Sequence, residues 1–288
     1  MNKKPARPTT RPATRTTPQT AARPTARKTT KPTIVMIHGF RGTHHGLLLI
    51  AKKLKAANNI IVPDLPGFGR GPKLKQYDLD SYVEWLHAFM KKQNLTRPPV
   101  LLGHSFGSII CAAYAKKYPR TIKQLILVNP IGTPALEGQN KVMTNLAITY
   151  YKIGAKLPEK LAHAWLASKP IVRIMSITMA KTHDKGLRTY IHHQHDRYFS
   201  RFHNPQSVLE SFTTSVSNNV GEFAKDISTQ TLLIAGSLDD ITHLSDQYGL
   251  VKKFPNAKLK VINNVGHLTH YETPDRVAEL VQAFIKSV

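Results

Sequence analysis

Cysteine is almost missing from this chain, and its scarcity removes a whole group of folds. The lone Cys111 closes no intramolecular disulfide and builds no cysteine-based zinc cluster. Nor is there an apolar run near the roughly 20 residues that cross a bilayer as a helix. The first residues are basic, but no continuous apolar stretch follows them. They do not read as a secretory leader, and a cytoplasmic location is the expectation. Acidic residues are also few, with 17 Asp and Glu against 41 Lys and Arg in 288 residues, a formal charge of +24. That surplus favours nonspecific attraction to nucleic acid or anionic lipid and says nothing about fold.

The surplus is spread unevenly. Residues 1–32 carry nine basic residues, six prolines and no acid, in a loose Arg-Pro-Thr theme (ARPTTRPATRTTPQ, then AARPTARKTTK). Proline removes amide donors, and Ala, Thr and charge build no core, so a disordered tail is expected. Without aromatics it offers no stacking platform. Its only binding mode is weak, salt-dependent contact with nucleic acid or an anionic membrane.

Order is expected from Thr33. The apolar runs TIVMI (33–37), NIIVPD (59–64), PVLLGHS (99–105) and IKQLILVNP (122–130) read as strands. Amphipathic patterns at 47–57, 78–94 and 106–118 read as the helices between them. Such alternation marks a parallel sheet covered on both faces. It stops near Pro134 and resumes with TLLIAG (231–236), a helix at 243–254, AKLKVIN (257–263) and a final helix at 274–288. The expected organisation is an α/β core over 33–133 and 226–288, with a helical cap over 134–225. Long insertions of this kind sit above the site at the strand C-termini.

The strongest motif is Gly103-His104-Ser105-Phe106-Gly107, a G-x-S-x-G run between a strand and a helix. Its paired glycines allow a sharp turn that exposes a strained serine above the sheet. Ser105 needs a base, and the base needs an orienting carboxylate. His267, in NNVGHLTHYE after the last strand, is the candidate base, with His270 its competitor. Asp239 and Asp240, after the strand TLLIAG, are the candidate acids, the other suiting the cap of the following helix. Asn129 follows the preceding strand, carries no charge and is set aside. The oxyanion donors should be the backbone amides of Phe106, at a helix start, and Phe40, just after His38-Gly39.

Taken in order, these residues resemble the α/β-hydrolase superfamily, in its lid-bearing serine-hydrolase branch (carboxylesterase or lysophospholipase-like). His38-Gly39-Phe40 resembles that family's oxyanion loop, and Asp64-Leu65-Pro66-Gly67-Phe68-Gly69-Arg70 its loop after the next strand. Gly71 stands where many members have serine. Ser105 falls on the elbow serine, and Asp239 falls where the family places its acid, ahead of Asp240. Gly266-His267, with Glu272 beyond, resembles the ending that carries the base. His104, Gly103 and Gly107 support the elbow. The resemblance implies a mostly parallel sheet of about six strands, trimmed of the family's two leading antiparallel strands. It further implies hydrolysis of a small or medium carboxylic ester through an acyl-enzyme, with no cofactor and no metal. Lysophospholipids or monoacylglycerols, carbon–carbon bond hydrolysis or perhydrolysis, and a non-catalytic binding protein on the same scaffold are the alternatives. A serine at 105 argues against the dehalogenase and epoxide hydrolase branches.

In the expected cap, His192, His193, His195 and His203 cluster with Asp196. Adjacent helical residues point about 100° apart, so hydrogen bonding between helices fits them better than a metal. Arg188, Arg197 and Arg201 offer positive potential near the mouth of the site. Tyr150, Tyr151, Trp165, Met175, Met179, Tyr190, Tyr198 and Phe202 read mainly as cap packing. A chain lacking residues 1–30 should melt with the full-length protein and keep its turnover. Loss of the fold on truncation, or amide-exchange protection within 5–28, would contradict the tail assignment.

Overall fold

The run TIVMI forms β1 (Thr33–Ile37), buried along nearly its whole length. The computed structural model describes Met1 and residues 31–134 and 141–287, with backbone alone for 141–144. The tail expected over residues 1–32 therefore lies almost wholly outside the described residues. The strands that follow are β2 (Asn59–Ile61), β3 (Val100–His104), β4 (Gln124–Val128), β5 (Thr231–Gly236) and β6 (Ala257–Ile262). They form one sheet in the order β2-β1-β3-β4-β5-β6. Each neighbouring pair is parallel, with Ile34 opposite Ile60 on one side and Val100 on the other. The expected six-stranded parallel sheet is thus present, with β2 at one edge.

Strand alternation sends successive residues to opposite faces. Ile34, Met36, Leu102, Ile126 and Ile234 pack with α1 (Leu48–Leu54) and α11 (Pro274–Lys286). Val35, Ile37, Leu101, Leu127 and Leu233 pack with α2 (Leu79–Lys92), α3 (Phe106–Lys117) and α9 (Leu244–Val251). Helix α3 is apolar all round and lies inside this second layer, as its sequence requires. The Asp78 side chain starts α2 by accepting from Ser81 N at 2.8 Å. Edge strand β6 alternates exposed Lys258 and Lys260 with more buried neighbours, which discourages edge pairing. Two boundaries differ from expectation. Strand β2 ends at Ile61 before Pro63, which has no amide for the ladder. Helix α1 begins later, after a 3-10 turn at His44–Leu47.

Between β4 and β5 stand α4 (Lys141–Lys156), α5 (Glu159–Leu166), α6 (Lys169–Met179), α7 (Lys185–Tyr198) and α8 (Pro205–Ser217). Asp184 caps α7 and Asn204 caps α8, the latter in a reciprocal box with Ser207. Glu272, in the short α10 (Thr269–Glu272), accepts from Lys181 N at 2.7 Å and so ties the insertion to the core.

The junction of β3 and α3 leaves no room for side chains at its two glycines. A Cβ added to Gly107 would lie 2.4 Å from Ile37 O, and one on Gly103 would lie 2.4 Å from Gly107 O. Both contacts are with backbone, which cannot move aside. Gly107→Ala should therefore lower stability by about 1–3 kcal/mol, read as a lower urea midpoint. Gly249→Ala in α9, where a Cβ meets nothing within 4 Å, should hold or raise it.

Candidate active site

Ser105 sits between β3 and α3 with φ 52°, a left-handed conformation rarely held by a non-glycine residue. Its backbone is pinned on both sides. Ser105 N donates to Val128 O at 3.0 Å, and Ser105 O accepts from Ser108 Oγ at 2.5 Å. Ser108 Oγ in turn accepts from Ile131 N at 3.2 Å. The turn lifts the Ser105 side chain to 2.8 Å from His267 Nε2. On its other side, His267 Nδ1 lies 2.8 Å from Asp239 Oδ2. A carboxylate only accepts, so Nδ1 carries the ring proton and Nε2 is left to accept from the Ser105 hydroxyl.

Asp239 is buried and heavily bonded. Oδ1 accepts from Ile241 N at 2.8 Å and Thr242 N at 2.9 Å. Oδ2 accepts from Thr242 Oγ1 at 2.5 Å and Asn129 Nδ2 at 2.6 Å as well as from His267. Burial alone would raise its pKa, but His267 and the Thr242 donors overcome this and hold it well below the usual carboxylate range. Asn129, set aside on charge grounds, thus donates to Asp239 from just beyond β4 and is itself held by Thr269 Oγ1 at 2.6 Å. Asp240 is exposed and pairs with Lys181. The structure brings Asp239, and not Asp240, to His267.

His38 fixes the loop after β1. Its Nε2 accepts from Leu65 N at 2.9 Å, so Nδ1 donates to Gly39 O at 2.9 Å. A Cβ on Gly39 would stand 3.2 Å from Ser105 Cβ, which shows how closely this loop approaches the serine. Phe40 follows, its ring 6.4 Å from that of Phe106 in a T-shaped pair. His104 lies behind the serine, and its Nε2 donates to His267 O at 3.2 Å. Burial, then His267, pushes the His104 pKa down to about 3. His270, the competing candidate, packs against His104 with tilted rings, centroids 4.1 Å apart, instead of meeting Ser105. In the loop after β2, buried Asp64 accepts from His44 N at 2.5 Å and Arg70 N at 2.8 Å. Gly71 departs from the family pattern for a local reason: a Cβ there would lie 2.1 Å from Leu65 O.

Ser105, Phe40 and Phe106 open onto a cavity of about 760 Å³ roofed by the helical insertion. Tyr150, Tyr151, Met175, Met179 and Tyr198 line it. These side chains were expected mainly to pack the cap, whereas the cap's inner face is itself the roof of the cavity. Trp165 does pack inside the insertion, donating to Tyr150 O at 3.0 Å. Among the described residues, no Lys or Arg lines the cavity. Arg188 bonds Thr182 O, while Arg197 and Arg201 lie over Tyr198. Two of these three arginines thus lie against the ring of a residue that lines the cavity. His192 and His195 converge on Ser176, their Nδ1 atoms 2.6 and 2.7 Å from its Oγ. Among the described residues, no group of three or more His, Cys, Asp or Glu is arranged to hold a metal ion. Nor is any helix long and apolar enough to cross a membrane.

Burial lowers several histidine pKa values, with a consequence for stability. His195 is pushed to about 4 by burial, then by His192 and Arg173. His270 is pushed well down by burial, then by His104. Their folded values lie below the unfolded value of 6.5, so the unfolded chain binds protons first. Stability is full above pH 6.5 and falls as pH drops toward 4. Roughly 2 kcal/mol should be lost per such histidine by pH 5. Urea midpoints at pH 7.5 and 5.0 check this, and His195→Gln should make the pH dependence shallower.

Comparison with known proteins agrees with the geometry. The model of the Alpha/beta hydrolase family matches residues 34–280. Lipase 3 of Moraxella sp. (strain TA144) is 28% identical over 266 residues, covering 87% of this chain and 76% of that protein. Monoacylglycerol lipase ABHD6 of Mus musculus is 24% identical over 269 residues, covering 90% and 76%. Among solved structures, a thermophilic esterase from Thermogutta terrifontis superimposes with a TM-score of 0.71 at 20% identity, covering 90% of each chain. An enol-lactonase from Burkholderia xenovorans LB400 gives 0.74 at 15% identity, covering 91% of this chain and 94% of that one. With the family match extending from β1 into the last helix, the chain belongs to the alpha/beta hydrolase family.

Proposed function

We propose that the protein hydrolyses uncharged carboxylic esters through an acyl-enzyme on Ser105. The observation that carries this is the bonded line Asp239–His267–Ser105 at the base of an apolar cavity. His267 Nε2 takes the Ser105 proton as Oγ attacks the carbonyl, and the Asp239 carboxylate stabilises the imidazolium that forms. The amides of Phe40 and Phe106 receive the oxyanion, supported by the approach of Gly39 to Ser105. His267 then protonates the leaving alcohol and later activates water on the acyl-serine. His38, Gly39, Gly103, His104 and Gly107 hold these groups in place. A cavity with no Lys or Arg among its described lining residues favours a neutral acyl part over an anionic one.

A second reading has a specific observation behind it. The cavity holds about 760 Å³, more than a short ester fills, and relatives include proteins named lipase and monoacylglycerol lipase. That combination supports a long-chain monoacyl lipid as substrate. The basic tail suits weak, salt-sensitive attraction to anionic surfaces, and a cytoplasmic site of action is read from sequence alone.

The deciding experiment is turnover on p-nitrophenyl esters of rising chain length beside a monoacylglycerol and a lysophospholipid. Ser105→Ala and His267→Ala should each lower kcat by about 10³-fold or more with the fold intact. Asp239→Asn should cost far more activity than Asp240→Asn. Near-wild-type turnover in Ser105→Ala would sink the mechanism.

A further inference from the structure

Arg41 follows Phe40 and is fully buried, the largest such side chain among the described residues. None of the ion pairs among the described residues includes it. Its backbone holds φ 57° at the third position of a turn closed by Gly42 N donating to Gly39 O at 3.0 Å. Glycine or asparagine is the usual choice there. The guanidinium leaves the core entirely and enters the helical insertion. Nη2 donates to Leu166 O at 2.5 Å, Nε to Phe199 O at 3.2 Å and Nη1 to Tyr151 Oη at 3.3 Å. Ser200 Oγ lies 3.5 Å from Nη2, and the rings of Phe199 and Phe202 flank the charge at 5.0 and 5.9 Å.

We propose that Arg41 is a positioning residue that makes the oxyanion-binding turn Gly39–Gly42 depend on the seated cap. The proposal rests on the ester-hydrolase reading above. A buried guanidinium stays charged and must keep its acceptors, since stranding it without them is strongly unfavourable. Every acceptor it has here belongs to the insertion: the end of α5, the link between α7 and α8, and Tyr151 of α4. The strained turn and the seated cap are therefore favourable together and unfavourable apart. When the cap lifts, Arg41 loses its partners, the turn relaxes, and the Phe40 amide leaves its place. Oxyanion stabilisation is then available only while the cavity is closed to bulk water.

The test uses the full chain with Arg41→Lys, which keeps the charge but not the fork, and Arg41→Met. On p-nitrophenyl butyrate, kcat should fall at least 10-fold while KM stays within about threefold, because one transition-state donor is displaced. Affinity for butylboronic acid, which becomes tetrahedral on the serine, should fall in parallel. The acid limb of the pH–rate profile should not move. If Arg41→Met does not fold, Arg41→Lys and Tyr151→Phe decide, the latter with a smaller change in the same direction. Amide exchange gives a readout independent of turnover. Peptides covering 38–44 and 196–203 should both exchange faster in Arg41→Lys. A rise in KM alone, or faster exchange confined to 38–44, would overturn the coupling. A wild-type protein that cleaves no ester while both peptides still respond would overturn the ester reading and leave the coupling standing.

Discussion

The active-site turn depends on a close approach between two stretches of backbone. Gly107 at the start of α3 presses on the carbonyls of Ile37 and His38 at the end of β1, leaving no room for a Cβ. That approach forces β3 to reverse sharply into α3, and the reversal drives Ser105 into the left-handed region. From this one constraint the rest follows in order. The serine stands clear of the sheet, α3 points its N-terminus at the same space, and the β1 loop is drawn alongside. The strain at Ser105 persists because Val128, Ser108 and Ile131 fix its backbone from two further elements.

Around that point the protein keeps charge scarce and saturated. Asp239 is nearly enclosed but receives donors on both oxygens from just beyond β4, from its own loop and from His267. The imidazoles of His38, His104 and His270 are buried with lowered pKa values, burial being the leading cause in each. His38 and His104 act as neutral donors and acceptors whose roles are set by their partners. His104 spends its proton on the carbonyl of His267, which fixes the backbone beneath that ring. A low-dielectric surround of this kind strengthens each remaining electrostatic contact.

Much of the fold could be read from the sequence because its signals are local. The strand runs, the G-x-S-x-G turn and the loops bearing Asp239 and His267 each occupy a few consecutive residues. Short-range pattern and steric necessity coincide there. Support for the site was less legible. Asn129 lies 110 positions from Asp239, and only the folded sheet sets their strands side by side. Lack of charge rightly ruled Asn129 out as the carboxylate, but it gave no sign that the amide would donate to one. The aromatic and methionine residues of the insertion gave a similar difficulty. Helical periodicity identifies an apolar face but cannot tell a face that packs from one that roofs a cavity. Arg41 reads as one more cation in a basic chain until its partners, more than 100 residues away, are seen.

The seat of Cys111 has a practical side. The only thiol in the sequence is buried directly beneath the elbow, where a Cβ on Gly103 would lie 2.8 Å from its sulfur. Burial also pushes its pKa well up, so the thiolate that alkylating reagents need is suppressed. The native chain is therefore close to a cysteine-free background for site-specific chemistry. Two cysteines introduced on the surface, one on the insertion and one on the core, would carry a pair of spin labels or fluorophores, and the distance from cap to core becomes measurable without first re-engineering the interior.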